Sequence, residues 1–135
     1  MMNEDAVTIG EGFVSKCILY IEDNPSDQRL VRKVLTTHGY KIVLAGDGLV
    51  GIDQARTTQP DLILVDVQMP GLDGLETVRR LRAIETCAAT PIVALTAYTE
   101  KFQRAEYIDA GFTDYQQKQA GIQPLLKLVR RFLHE

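Results

Sequence analysis

The segment that most constrains the fold is Pro60-Asp61-Leu62-Ile63-Leu64-Val65-Asp66-Val67-Gln68-Met69-Pro70-Gly71-Leu72-Asp73-Gly74. Its β-forming run Leu62–Val65 has no polar alternation, the pattern of a strand buried on both faces. Such a strand needs cover on either side. Pro70, Gly71 and Gly74 then break the chain. Asp66 therefore stands where a buried strand surfaces, the edge at which open parallel sheets place their ligands. A carboxylate there is costly to desolvate without a partner such as a metal ion.

The rest of the chain supplies the cover. From Lys16 onward, strand and helix signals alternate five times. Cys17 to Ile21 reads as a strand. A helix follows, capped by Asn24 or Ser26 with Pro25 in its first turn, carrying Leu30, Val31, Val34 and Leu35 on one face and stopped by Gly39. Lys41 to Ala45 is the second strand, and Gly48 to Thr58 a weaker helix softened by Gly51 and Thr57-Thr58. Leu62 to Asp66 is the third strand. A helix opens at Asp73-Gly74 with Leu75, Val78 and Leu81 on one side. Pro91 to Leu95 is the fourth strand, Glu100 to Ala110 a helix ended by Gly111, and Asp114 to Gln117 a short fifth strand at the sheet edge. The last helix carries Ile122, Leu125, Leu126, Val129, Phe132 and Leu133 as a core stripe. Right-handed crossovers then predict an α/β fold with a parallel sheet covered on both faces. Residues 1–15, acidic and without a sustained period, read as a flexible arm or linker; residues 16–135 read as one domain.

Composition excludes several functions. With 15 basic against 18 acidic residues the net charge is −3, so no basic field favours nucleic acid. Cys17 and Cys87 lack metal-site spacing and read as free thiols in a reducing compartment. The acidic N-terminus has no apolar signal region, and the longest apolar run, Cys17 to Ile21, is too short to cross a bilayer. A cytoplasmic protein without membrane contact is expected. His38 and His134 read as exposed helix-end residues without chemistry.

Polar groups cluster at the strand ends: Glu22-Asp23 after the first, Asp66 after the third, Thr96 after the fourth, Lys118 after the fifth. In a parallel sheet these ends share one edge, so three carboxylates, a hydroxyl and an ammonium converge. Clustered carboxylates favour a hard divalent cation, and Mg²⁺ takes oxygen ligands while keeping room for a phosphoryl oxygen. Asp66 can then act as a nucleophile toward phosphorus, with Lys118 and Thr96 stabilising the transferring group.

With these pieces in place the chain resembles the receiver domain of two-component response regulators, over about Lys16 to Leu133. The matching pieces are Ile21-Glu22-Asp23-Asn24, Asp61 through Pro70 with Gly74, Ala94-Leu95-Thr96-Ala97, and Asp114-Tyr115 with Lys118. Asp23, Asp66, Thr96 and Lys118 follow one another at receiver-like separations of 43, 30 and 22 residues. The resemblance implies a flavodoxin-like doubly wound five-stranded sheet of order 2-1-3-4-5. It also implies that Asp66 is the phosphoacceptor and that Mg²⁺ is held by Asp23 directly, Glu22 through water, Asp66 and the backbone carbonyl of Gln68. Thr96 and Lys118 would contact the phosphoryl group, and Thr96 with Tyr115 would form the switch. Gln68 and Tyr98 would line the path of the hydrolytic water, Tyr98 as a shield favouring slow self-dephosphorylation. The implied donor is a phosphohistidine on a sensor histidine kinase or a histidine phosphotransfer protein. Output would pass to a protein in trans through the face of helix 4, strand 5 and helix 5, and the chain would catalyse only its own phosphorylation and dephosphorylation.

The chain departs from the pattern around strand 5. Receivers usually carry proline after the lysine with a cis peptide; here the residue is Gln119. A cis bond to a non-proline residue costs about 3–4 kcal/mol, against less than about 1 for proline. A trans bond and a rebuilt loop are expected, a strained cis bond being the alternative. Gln116 and Gln117 also replace apolar or small residues, which points to a loosened or specialised output surface. These departures leave open a degenerate receiver that signals without phosphorylation, whereas the Glu22, Asp23 and Asp66 set favours a working one. A phosphohydrolase of the haloacid dehalogenase type would need an acidic residue two positions after Asp66, where Gln68 stands, and a redox flavodoxin would need a Ser/Thr-Gly-rich phosphate loop where Glu22-Asp23-Asn24-Pro25 stands.

Overall fold

The computed structural model describes residues 15–69, 71–96 and 104–133. Five strands, β1 (Cys17–Ile21), β2 (Lys41–Ala45), β3 (Leu62–Asp66), β4 (Ile92–Thr96) and β5 (Asp114–Gln117), alternate with α1 (Pro25–Thr37), α2 (Gly48–Thr58), α3 (Gly74–Arg82), α4 (Arg104–Ala110) and α5 (Ile122–Leu133). All neighbouring strands pair in parallel, in the order β2-β1-β3-β4-β5. The doubly wound sheet expected from the alternation is therefore present, with β5 at an edge.

Alternation within each buried strand divides the core in two. Leu19, Ile21, Ile63, Val65, Ile92 and Ala94 face α2, α3 and α4, packing with Val78, Leu81, Tyr107 and Phe112. Ile18, Tyr20, Leu62, Leu64, Val93 and Leu95 face α1 and α5, packing with Val31, Leu35, Leu125 and Val129. The stripe on the last helix is core, as its spacing indicates.

Local chemistry sets the element ends. Asn24, not Ser26, caps α1: its Oδ1 accepts the Asp27 N–H at 3.1 Å, with Pro25 in the first turn. Asp47 and Asp73 cap α2 and α3 in the same way. Gly51 weakens α2 by propensity, but a Cβ there would stand 2.4 Å from Ile21 Cδ1, so the glycine lets α2 lie close on β1. β4 starts one residue later than the sequence pattern suggests and includes Thr96. Pro91 lacks an N–H and enters the ladder only through its carbonyl, which accepts the Ile63 N–H at 3.0 Å. The start of the expected Glu100–Ala110 helix lies outside the described residues; Arg104–Ala110 is helical.

Arg82, at the end of α3, ties two connections together. Its guanidinium donates to the carbonyls of Gly111 at 2.8 Å, Cys87 at 2.9 Å and Thr90 at 2.6 Å, and to the Thr113 hydroxyl at 3.1 Å. These bonds hold the chain entering β4 and β5 in place, and with it the strand ends that form the site. Among the described residues no helix is long and apolar enough to cross a membrane.

Candidate functional site

The parallel register delivers the polar strand ends to one edge. Beyond β1, the Glu22 N–H donates to the Ala45 carbonyl at 2.9 Å; beyond β3, the Val67 N–H donates to the Leu95 carbonyl at 3.2 Å. Asp66 lies level with Leu95, which places buried Thr96 one step further along the adjoining strand. Glu22, Asp23 and Asp66 each offer a carboxylate oxygen, and these atoms lie within 4.8 Å of one another. Glu22 is fully buried, Asp66 is 4% exposed and Asp23 faces solvent.

Each buried carboxylate has fixed partners. Glu22 Oε1 accepts from the Tyr20 hydroxyl at 2.9 Å and from Lys118 Nζ at 2.8 Å, while Oε2 accepts the Asn24 N–H at 3.1 Å. Its backbone carbonyl accepts from Gln28 Nε2 at 2.5 Å. Asp66 Oδ1 accepts the Gln68 N–H at 2.9 Å, so Asp66 also caps its own turn. Gly74 makes that turn possible. A Cβ on it would stand 2.6 Å from Val67 Cα, so only glycine lets α3 begin directly beneath the residue after Asp66.

Lys118 reaches the crevice despite Gln119. A 3₁₀ turn, Lys118–Ala120, rebuilds the loop after β5. The ammonium lies 2.8 Å from Glu22 Oε1, 2.8 Å from Asp27 Oδ2 and 3.5 Å from Asp66 Oδ2. Burial alone would lower the Lys118 ammonium, but Asp27, Glu22 and Asp66 together raise it well above the usual lysine range. Burial pushes the Asp66 carboxyl up to about 7; the Gln68 N–H opposes the shift and the adjacent Glu22 carboxylate adds to it. Burial would raise Glu22 too, but hydrogen bonds from Lys118, the Asp66 carboxyl and the Asn24 N–H more than offset it and hold Glu22 below the usual range. Without a metal ion, a proton shared by the pair below about pH 7 sits on Asp66 rather than on Glu22. Burial and the Glu22 carboxylate raise the Tyr20 phenol far above its usual range, so it remains a donor.

The structure brings Glu22, Asp23, Asp66 and Lys118 together, with Thr96 beside them. Tyr115 is different. It lies level with Ala94, and its ring stacks on buried Tyr107 of α4 at 5.2 Å and 19° rather than entering the crevice. Tyr98 lies outside the described residues. Gln116 is half-buried, as an edge strand allows, and lines a cavity of about 140 Å³ with Tyr20, Val31, Leu95, Ile122 and Leu125. Sequence reasoning missed Asp27, Tyr20 and Gln28. Tyr20 had a signal, since two residues before Glu22 on one strand means the same face. Asp27, an acid in a first helical turn, and Gln28 carry no such signal in the sequence.

Comparison with known proteins agrees with this geometry. The chain is 37% identical over 116 residues to proteins named response regulator MprA from Mycobacterium avium (strain 104) and Mycobacterium tuberculosis (strain CDC 1551 / Oshkosh), matching 86% of this chain and 50% of each relative. It thus spans about half the length of these relatives. A Vibrio cholerae chemotaxis protein, CheY4, superposes with a TM-score of 0.84 at 29% identity, covering 88% of this chain and 99% of that one. The receiver domain of sensor histidine kinase PA1611 from Pseudomonas aeruginosa PAO1, with a magnesium ion coordinated in its active-site cleft, superposes with a TM-score of 0.82 at 33% identity, covering 90% of this chain and all of that one. Residues 18–130 match the response regulator receiver domain, and the chain belongs to that family.

Proposed function

We propose that this receiver takes a phosphoryl group onto Asp66, with Mg²⁺, from a phosphohistidine on a sensor histidine kinase or a histidine phosphotransfer protein. The observation that carries the proposal is the convergence of the Glu22, Asp23 and Asp66 carboxylates within 4.8 Å, with Lys118 Nζ 3.5 Å from Asp66. The donor set suits the cation: hard oxygens, a surplus of negative charge, and one open side at exposed Asp23. Glu22, Asp23, Asp66 and the Gln68 backbone carbonyl would hold it. The cation, when bound, supplies positive charge that ionises Asp66 and offsets charge on the phosphoryl oxygens. The magnesium ion in the PA1611 receiver cleft supports this reading.

In the transfer, an Asp66 carboxylate oxygen attacks phosphorus. The O–P bond forms, the N–P bond of the phosphoimidazole breaks, and the leaving nitrogen takes a proton from solvent. Lys118 donates to the phosphoryl oxygens and the Thr96 hydroxyl contacts them. In dephosphorylation, water attacks phosphorus, the Asp66 O–P bond breaks, and phosphate leaves with the Asp66 carboxylate restored; the family resemblance assigns Gln68 and Tyr98 to the path of that water, and these self-directed steps are the only catalysis assigned. The Thr96 hydroxyl and Tyr115 form the switch. Output passes in trans, in the cytoplasm, to a protein partner through α4, β5 and α5. That face is tied together by Asp114, which pairs with Arg104 of α4 and Arg131 of α5.

The test is intact-mass spectrometry after incubation with acetyl phosphate, phosphoramidate and a phosphohistidine donor, with and without Mg²⁺, beside Asp66→Asn. One Mg²⁺-dependent phosphoryl adduct, absent from Asp66→Asn, is expected. No adduct with any donor would replace this reading with a phosphorylation-independent interaction module.

A further inference from the structure

Lys118 has three N–H donors and three acidic neighbours. Two donors are committed at hydrogen-bond length, to Glu22 Oε1 at 2.8 Å and Asp27 Oδ2 at 2.8 Å. Asp66 Oδ2, at 3.5 Å, is within ion-pair reach but beyond ordinary hydrogen-bond length. A phosphoryl group on Asp66 would add several charged oxygens on this side; the third donor can meet one of them, and a second takes its donor from Glu22 or Asp27.

The two bonds do not yield equally. Glu22 is fully buried, and it also holds the Tyr20 hydroxyl and the Asn24 N–H. Removing its cation leaves a buried charge short of a partner, which is expensive. The Asp27 side chain is 37% exposed and can exchange the ammonium for water. It also stands in the first turn of α1, where the helix dipole favours a free carboxylate. Asp27 is the partner that lets go.

We propose that Asp27 is a positioning residue that competes with the phosphoryl group for Lys118, so that phosphorylation exchanges the Lys118–Asp27 pair for a Lys118–phosphoryl pair and releases the first turn of α1 from the 3₁₀ turn after β5. This rests on the phosphorylation of Asp66 argued above. It gives the rebuilt loop a purpose: without proline after the lysine, Asp27 fixes the ammonium in the resting state. It also makes α1, which exposes Leu30 at its surface, a second reporter of the phosphorylation state.

The kinetic signature is asymmetric. Phosphorylation must break the Lys118–Asp27 pair, whereas hydrolysis starts with the pair already broken. Asp27→Asn should therefore raise the rate of phosphorylation by phosphoramidate about two- to fivefold, the scale of a partly exposed ion pair, and tighten beryllofluoride binding similarly. Hydrolysis, by attack of water on phosphorus with release of phosphate and the Asp66 carboxylate, should stay within about twofold of wild type on the same scale. Asp27→Glu, which keeps a carboxylate, should restore wild-type phosphorylation. The ¹⁵N signal of the Lys118 ammonium should shift in the wild type on adding Mg²⁺ and beryllofluoride, and should start displaced in Asp27→Asn.

Unchanged or slower phosphorylation of Asp27→Asn overturns the proposal. So does faster phosphorylation with an unmoved Lys118 signal, which would mean only that the phosphodonor anion meets less repulsion. A wild-type protein that takes no phosphoryl group overturns the phosphorylation reading and this one with it. That case is recognisable because the Lys118 signal of the resting protein still responds to Asp27→Asn.

Discussion

Asp66→Asn should stabilise this protein when divalent cations are chelated. The Asp66 carboxyl rises from an ordinary 3.8 to about 7 in the folded state, chiefly through burial. Between those values the folded chain holds a proton that the unfolded chain has lost, so stability falls as pH rises. Each unit corresponds to about 1.4 kcal/mol, which sets an upper bound of about 4 kcal/mol lost by pH 8. Glu22 is displaced the other way and contributes stability above its unfolded value of 4.5, lost as pH falls below it, so it adds no slope between about pH 5 and 7. Asparagine stays neutral, can accept the Gln68 N–H through Oδ1 and can donate to Glu22 through Nδ2. Urea denaturation in chelator, from pH 5 to 8, spans about two of those units and should show wild-type stability falling by about 2–3 kcal/mol relative to Asp66→Asn. Saturating Mg²⁺ should reverse the difference, because only the wild type retains the third carboxylate. Parallel pH profiles for the two proteins, or a less stable Asp66→Asn at pH 8 in chelator, would refute the reasoning.

Three further substitutions test the scaffold. Arg82→Ala should cost about 3 kcal/mol in chemical denaturation by leaving the Gly111, Cys87 and Thr90 carbonyls without their charged donor, and Arg82→Lys should recover less than half, since an ammonium cannot span that arc. Gly74→Ala forces a Cβ to within 2.6 Å of Val67 Cα; we expect a loss of about 1–3 kcal/mol and weaker Mg²⁺ binding by titration, as the Asp66 turn is displaced. Gln116→Leu places apolar volume against the cavity lined by Tyr20, Leu95 and Leu125, and a gain of about 1 kcal/mol in denaturant midpoint analysis is expected.

How much of this was legible depended on the range of the signal. Leu62–Val65 announced a doubly buried strand through its own residues, and the break at Pro70-Gly71 placed Asp66 at its mouth. Thr96 needed only the parallel register to join it. Lys118 was harder. Local chemistry at Gln119 argued against the usual loop, while its placement is set by Asp27 and Glu22, on and just before a helix whose start lies far away in sequence. Asp27 could not be found from the sequence at all, because an acid early in a helix is satisfied by the helix dipole alone. Arg82 carried no motif either: its partners are backbone carbonyls, which every residue possesses.

The division of the core has a consequence for how the chain reaches its fold. Ile18, Tyr20, Leu62, Leu64, Val93 and Leu95 form one apolar sheet face, which α1 can cover only in part; Leu125, Leu126, Leu128, Val129 and Leu133 of α5 complete it. Synthesis proceeds from the N-terminus, so all five strands exist before α5 leaves the ribosome. During that interval a row of leucine and isoleucine side chains stays open to water, on parallel strands whose non-local pairing is slow to form. The docking of α5 is then the event that closes the molecule, and the nascent chain is most exposed to aggregation and chaperone capture immediately before it.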